Sequence, residues 1–142
     1  MSGFVLHERL AADCVVLGEL PLSCVLLAKD GRYPWFILVP KRADVCEIHH
    51  LGAAEQQQLM RESCALAGLM EECLLPDKLN VAALGNMVPQ LHLHHIARFV
   101  SDDAWPGPVW GRFDALSYNN VDGEVARWRE RLARLPDFVS AE

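Results

Sequence analysis

Gln90, His92 and His94 alternate with Leu91 and Leu93 in the run Gln90-Leu91-His92-Leu93-His94-His95-Ile96. In a β-strand successive side chains point to opposite faces. On such a strand Gln90, His92 and His94 share one face, and Leu91 and Leu93 turn to the other. Imidazole is nucleophilic and moves protons near neutral pH, so two imidazoles in a row on a stiff support suit covalent attack or proton transfer. His95 breaks the alternation and falls on the leucine face, where a packed or surface role is expected.

The elements that must hold this row follow from the remaining pattern. Leu6 to Ala11 reads as a short helical lead-in. Cys14-Val15-Val16-Leu17-Gly18-Glu19-Leu20, Ser23-Cys24-Val25-Leu26-Leu27-Ala28 and Trp35-Phe36-Ile37-Leu38-Val39 are apolar, β-rich runs in close succession, separated by Pro21 and by Lys29-Asp30-Gly31-Arg32. Leu59, Cys64, Leu66, Ala67, Met70 and Leu74 recur at helical spacing, which predicts a helix from Ala53 to Leu75 that stops at Pro76. Leu79 to Leu84 and Leu91 to Phe99 are further strands. Asp102 to Gly111 is too rich in Pro and Gly for regular structure, and Val121, Val125, Trp128, Leu132 and Leu135 predict a C-terminal amphipathic helix. Short links between the early strands favour an antiparallel meander. The expected class is α+β, with a sheet of about five strands and one long helix packed on it. The expected division is a domain over residues 1–112 and a C-terminal extension over residues 113–142, within one compact unit.

Composition narrows the function classes. A chain of 142 residues is long enough for one domain with a real core, and a hydrophobic fraction of 51% excludes a disordered chain. A net charge of −6 argues against wrapping nucleic acid by backbone neutralisation, although a local pocket can still be electropositive toward a small anion. The odd set Cys14, Cys24, Cys46, Cys64 and Cys73 has no Cys-x-x-Cys pair, and Cys14, Cys24 and Cys64 sit inside apolar patterns, so those three are expected as buried, reduced thiols. The first residues lack the pattern of a signal peptide and no apolar run reaches transmembrane length. A cytoplasmic protein without membrane or nucleic-acid-polymer partners is expected.

With the motif and its supporting elements in view, the chain resembles the histidine-triad (HIT) superfamily of nucleotide hydrolases and transferases. The family motif His-φ-His-φ-His-φ-φ, with φ apolar, reads here as Gln90-Leu91-His92-Leu93-His94-His95-Ile96. Leu38-Val39-Pro40-Lys41-Arg42 is similar to the family's strand-end segment. Leu79-Asn80-Val81 through Gly85-Asn86 resembles the strand before the motif, and Trp105-Pro106-Gly107 resembles a segment found after it in one branch. The likeness spans roughly Val15 to Gly111. The first-position Gln, after Val88-Pro89, is similar to a bacterial HIT-like subgroup.

The resemblance implies hydrolysis or nucleotidyl transfer at the α-phosphate of a purine nucleotide or nucleotide conjugate, through a nucleotidyl-histidine. His92 corresponds to the nucleophile and His94 to the third histidine, which contacts phosphate oxygens. Gln90 takes the place of the first histidine, and its amide offers both donors and acceptors. Asp30 corresponds to a ribose ligand of one branch, Asn86 to a phosphate contact, and Arg98 to an added positive charge. Family members commonly form homodimers that extend the sheet, so a homodimer is expected. The residues imply no obligatory metal, and no cofactor is expected.

Simpler readings stand beside these. Asp30 before Gly31, and Asn86 after Gly85, also suit turns without any ligand. Arg98 also reads as an exposed strand-end charge, His7, His49 and His50 as surface residues, and Trp105 and Trp110 as packing residues. A His-x-His pair on a strand can ligate one metal, though such sites usually recruit a further carboxylate and a distant histidine. A non-catalytic nucleotide-binding module with a degenerate triad would use Asp30, Asn86 and His94 as contacts.

Overall fold

The computed structural model describes residues 3–142. A short helix α1 (Glu8–Asp13) leads into strands β1 (Cys14–Glu19), β2 (Ser23–Ala28) and β3 (Trp35–Pro40). After a 3-10 turn at Ile48–His50 come helix α2 (Ala53–Leu74), strand β4 (Lys78–Ala82) and strand β5 (Leu93–Arg98). Helix α3 (Val121–Leu132) and a two-residue strand β6 (Val139–Ser140) complete the chain. The strands form one six-stranded sheet in the order β4-β5-β3-β2-β1-β6, and each neighbouring pair runs antiparallel. The expected class holds. The sixth strand is β6, which pairs Gly18 with Ser140 and is too short to leave a periodic signal.

Register fixes which face each side chain takes. Ile37 lies opposite His94, and Phe36 lies opposite His95. Phe36 and Leu38, with Val25 and Leu27 from β2, join Leu66 and Met70 of α2 in the main core. Helix α3 adds Val125, Trp128 and Leu132 to the same cluster, and the Trp128 ring meets Phe36 edge-on with centroids 4.6 Å apart. Such a pair adds about 0.5–1.5 kcal/mol beyond the area it buries. The sheet's other face carries Leu26, Ile37 and Val39 in a smaller cluster with Leu10 of α1 and Val88. His92 and His94 line a cavity alongside Ile37 and Val88, on the side of α1 and away from the long helix.

Local chemistry sets the helix ends. Asn120 caps α3 by accepting the Gly123 N–H, with Asp122 and Glu124 in the first turn and Arg129 and Arg131 in the last. That helix stops at Leu132, short of the periodic Leu135, which packs on the core from the following turn. Helix α2 ends where Leu75 adopts a left-handed conformation (φ 50°) before Pro76. Gly18 is required by close approach: a Cβ there would lie 2.3 Å from the Val139 carbonyl oxygen.

His95 faces α2. Its ring is 1% exposed and spans the layers, with Nδ1–H donating to the Leu93 carbonyl (3.1 Å) and Nε2 accepting from the Ser63 hydroxyl (2.7 Å). A carbonyl can only accept, which assigns the proton to Nδ1 and makes the serine the donor at Nε2. His95 is thus a satisfied polar tie between sheet and helix.

Candidate active site

The strand begins two residues later than its sequence suggests. Leu91 donates its backbone N–H to Val45 and not to a strand neighbour, and regular pairing starts at Leu93. His92 therefore sits at the lip of the sheet and His94 within it. Their ring centroids are 4.9 Å apart, the planes inclined by 70°. Each residue is 7% exposed.

Hydrogen bonding to Nδ1 fixes what each ring can do at Nε2. His92 Nδ1 lies 2.7 Å from the Gln90 carbonyl oxygen. A carbonyl accepts only, so Nδ1 carries the proton and a neutral ring keeps its lone pair on Nε2. His94 is wired the opposite way. The indole Nε1–H of Trp35 donates to His94 Nδ1 at 3.0 Å, so the neutral ring bears its proton on Nε2. Burial, reinforced by His92 and His95 nearby, pulls the His94 pKa down to about 3, so this ring stays neutral around pH 7. The pair thus presents one nucleophilic nitrogen and one fixed N–H donor.

Both histidines open on a cavity of about 670 Å³. Asp30 and Asn86 also line it. Asp30 is buried, and its Oδ1 accepts backbone N–H groups from Arg32 (3.0 Å) and from Leu116 (3.2 Å). Asn86 is exposed on the loop opposite. Gln90 is placed differently from a side-chain partner for His92. Its Oε1 accepts the His7 N–H (2.8 Å) and its Nε2 donates to Val5 O (2.9 Å), while its main-chain carbonyl holds His92. Arg98 is not among the cavity-lining residues. It is 2% exposed, and its guanidinium donates to both carboxylate oxygens of Asp102, to Asn80 Oδ1 and to Gly107 O. Those bonds hold Asp102 near a pKa of about 2 and fasten the segment after β5.

The cavity also gathers residues that sequence reasoning did not assign to the site. Trp35 orients His94, and its place was legible: it lies two residues from Ile37 on β3, hence on the same face beside His94. Trp110 meets the His94 ring edge-on at 5.2 Å and the Trp35 ring at 5.9 Å. Residues 109–115 form a strap that contributes Trp110 and Phe113 to the wall. It is tied down at Leu116, whose N–H reaches Asp30 and whose carbonyl accepts the Gly31 N–H at 2.6 Å. No spacing signal marks that link. Among the described residues, no three His, Cys, Asp or Glu side chains gather where they could hold a metal ion.

Residues 9–100 match the HIT domain family. The chain belongs to that family. Three solved HIT-type structures are similar over nearly their whole length. A histidine triad protein from Marinobacter aquaeolei VT8 is 51% identical, with a TM-score of 0.88, and the match covers 94% of this chain and 96% of that one. A histidine triad protein from Bradyrhizobium japonicum is 47% identical, with a TM-score of 0.88 and coverage of 93% and 97%. A third, from Sinorhizobium meliloti 1021, is 40% identical, with a TM-score of 0.88 and coverage of 94% and 98%. No curated protein matches the chain. In this HIT protein no helix among the described residues is long and apolar enough to cross a membrane.

Proposed function

We propose that this HIT protein is a nucleotide hydrolase or nucleotidyl transferase that acts at the α-phosphate of a purine nucleotide conjugate, with His92 as nucleophile. The observation that carries the reading is the hydrogen bond from His92 Nδ1 to the Gln90 carbonyl, which leaves the Nε2 lone pair for attack. The Nε2 lone pair forms an N–P bond as the bond from phosphorus to the leaving group breaks. The leaving group departs with that electron pair and takes a proton from water. The positive charge left on the His92 ring is stabilised by the carbonyl at Nδ1 without any proton transfer. Water then attacks phosphorus, the N–P bond breaks back to the ring, and the nucleoside monophosphate is released. His94 supports both steps by donating its Nε2–H to a phosphoryl oxygen, because phosphoryl chemistry asks mainly for positioning and charge stabilisation.

In this reading Gln90 orients His92 through its main chain, and Asp30 and Asn86 contact ribose and phosphate from the cavity wall. The glutamine-first motif is taken to place the chain in the bacterial HIT-like subgroup. A homodimer in the cytoplasm is the expected assembly and location.

The test is nucleoside monophosphate release from a panel of adenosine and guanosine conjugates, beside His92→Ala. Release that is abolished by the substitution, in a variant that still folds, is the expected result. Full activity in His92→Ala refutes the nucleophile assignment. Nucleotide binding without release from any conjugate would identify a binding module instead.

A further inference from the structure

A second recess, of about 260 Å³, lies on the helix side of the sheet, where α3 meets the end of α2 and the turn between β2 and β3. It shares no lining residue with the histidine cavity. Glu124, Arg127 and Arg131 line it from α3, and their spacing of three and four residues puts them on one face of that helix. The Arg131 guanidinium rides on the buried Trp128 ring, 4.6 Å from its centroid, and its N–H groups have no partner among the described residues. Arg127 commits one nitrogen to Glu124 at 2.8 Å. Tyr118 also lines the recess, and its hydroxyl makes no hydrogen bond among the described residues. Burial, then the nearby Glu124 and Asp30, push the Tyr118 pKa up to about 12, so the hydroxyl stays a neutral donor. Leu74 and Pro34 complete an apolar side.

This lining has a definite chemistry. Two arginines against one glutamate leave it cationic, which a protein of net charge −6 can still hold locally. A guanidinium stacked on an indole keeps its planar edge of donors free, the geometry that grips a carboxylate or phosphate bidentately. Pockets for drug-sized ligands run to about 300–1,000 Å³, so this recess takes something more compact, an oxyanion on a small apolar body.

Two short connections join the recess to the histidine cavity. Asp30 lines the cavity, and Gly31, the next residue, lines the recess. Both are bonded to the main chain of Leu116, two residues before Tyr118. Tyr33 lines the recess as well, and its ring meets Trp35 edge-on at 6.3 Å. Trp35 in turn holds the His94 tautomer. Packed rings and hydrogen bonds of this kind carry coupling between sites.

We propose that this recess is an effector site for a compact organic oxyanion, with Arg131 as its anion contact, and that its occupant changes nucleotide affinity at the histidine cavity. The second half rests on the nucleotidyl reading above.

The experiment titrates benzoate and phenyl phosphate into the whole protein by calorimetry and by amide chemical shifts. At least one probe is expected to bind with a Kd of about 1 mM or tighter, shifting the amides of Gly31, Tyr118 and Arg131. A stronger response to benzoate assigns the site to carboxylates, and a stronger response to phenyl phosphate assigns it to phosphate monoesters. Arg131→Met is expected to weaken binding about tenfold or more, Tyr118→Phe to weaken it less, and His92→Ala to leave it unchanged. Saturating probe is expected to change the Kd of AMP by about fivefold or more, and saturating AMP to change the Kd of the probe by the same factor. Arg131→Met abolishes that effect. No saturable binding of either probe overturns the proposal, as does binding that survives Arg131→Met undiminished. An AMP affinity unmoved by saturating probe overturns the effector role. If AMP does not bind at all, the nucleotidyl reading falls, and the His94 ring nitrogen resonances decide coupling alone. A shift on adding probe, lost in Arg131→Met, keeps it, and unmoved resonances overturn it.

Discussion

Mild acid should destabilise this protein through two rings that are buried neutral. Burial, then His92 and His95, lower the His94 pKa from 6.5 to about 3, and burial lowers that of His95 from 6.5 to about 4 against the opposing Leu93 carbonyl. In the unfolded chain both return to about 6.5. Between those limits the unfolded state binds more protons. The stability these rings contribute is therefore complete above pH 6.5 and drains away as pH falls toward 4 for His95 and toward 3 for His94. At about 1.36 kcal/mol per pH unit, a move from pH 7 to pH 5 removes about 2 kcal/mol for each ring, or about 4 kcal/mol together. A domain with a total of about 5–15 kcal/mol feels such a loss. Urea unfolding at the two pH values measures it. The double variant Ser63→Ala/His95→Leu removes one ring without orphaning the serine, so its pH-dependent loss should be about half that of wild type. An equal loss in the double variant refutes the reasoning, as does an NMR titration in which either ring protonates above pH 6 in the folded protein.

Other perturbations separate roles at single residues. Trp35→Phe strips His94 Nδ1 of its donor. Stability should fall by about 1–3 kcal/mol, and the pH profile of turnover should shift as His94 becomes free to take a second proton. An unchanged profile argues against Trp35 as the group that sets the tautomer. Arg98→Met leaves the Asp102 carboxylate buried with its guanidinium gone. Calorimetric melting should report a loss of about 3–5 kcal/mol. A higher KM with unchanged stability would instead mark Arg98 as a substrate contact. Gln90→Ala frees the Val5 and His7 backbone groups. Amide exchange should accelerate around residues 5–10, while turnover stays within about tenfold because a main-chain carbonyl still holds His92. A collapse of turnover would show that the side chain acts on the nucleophile.

Period-two alternation made the histidine strand legible, and it assigned His95 to the face opposite His92 and His94, which the structure shows packed under the helix where His95 meets Ser63. The meander and long helix were legible for the same reason: their apolar residues repeat at the period of the element that buries them. Three features escaped because their partners lie outside the strand or turn whose pattern was read. Gln90 lies beyond the paired strand, so parity does not govern its side chain, and residues 5 and 7 claim it. Arg98 has the same parity as His94 but stands four residues further along, about 13 Å, where Asp102 and Asn80 capture it. The third is the dual bond of Asp30, to its own turn at Arg32 and to Leu116 some 86 residues away. The turn half was readable in the Asp-Gly pair, whereas the Leu116 half has no local signature.

The imidazole pair and the aromatic wall beside it come from separate stretches of this chain. His92 and His94 lie within the family-matched residues 9–100, and the aromatic strap lies beyond them at residues 109–115. The ties that fix the strap's far end grip the main chain of Leu116, whose own side chain is exposed. Those anchors are indifferent to side-chain identity. The strap side chains take no part in the bonds that set the His92 and His94 tautomers, which come from Gln90 and Trp35. The shape of that wall can therefore be altered one strap residue at a time without touching the bonds that orient the imidazoles.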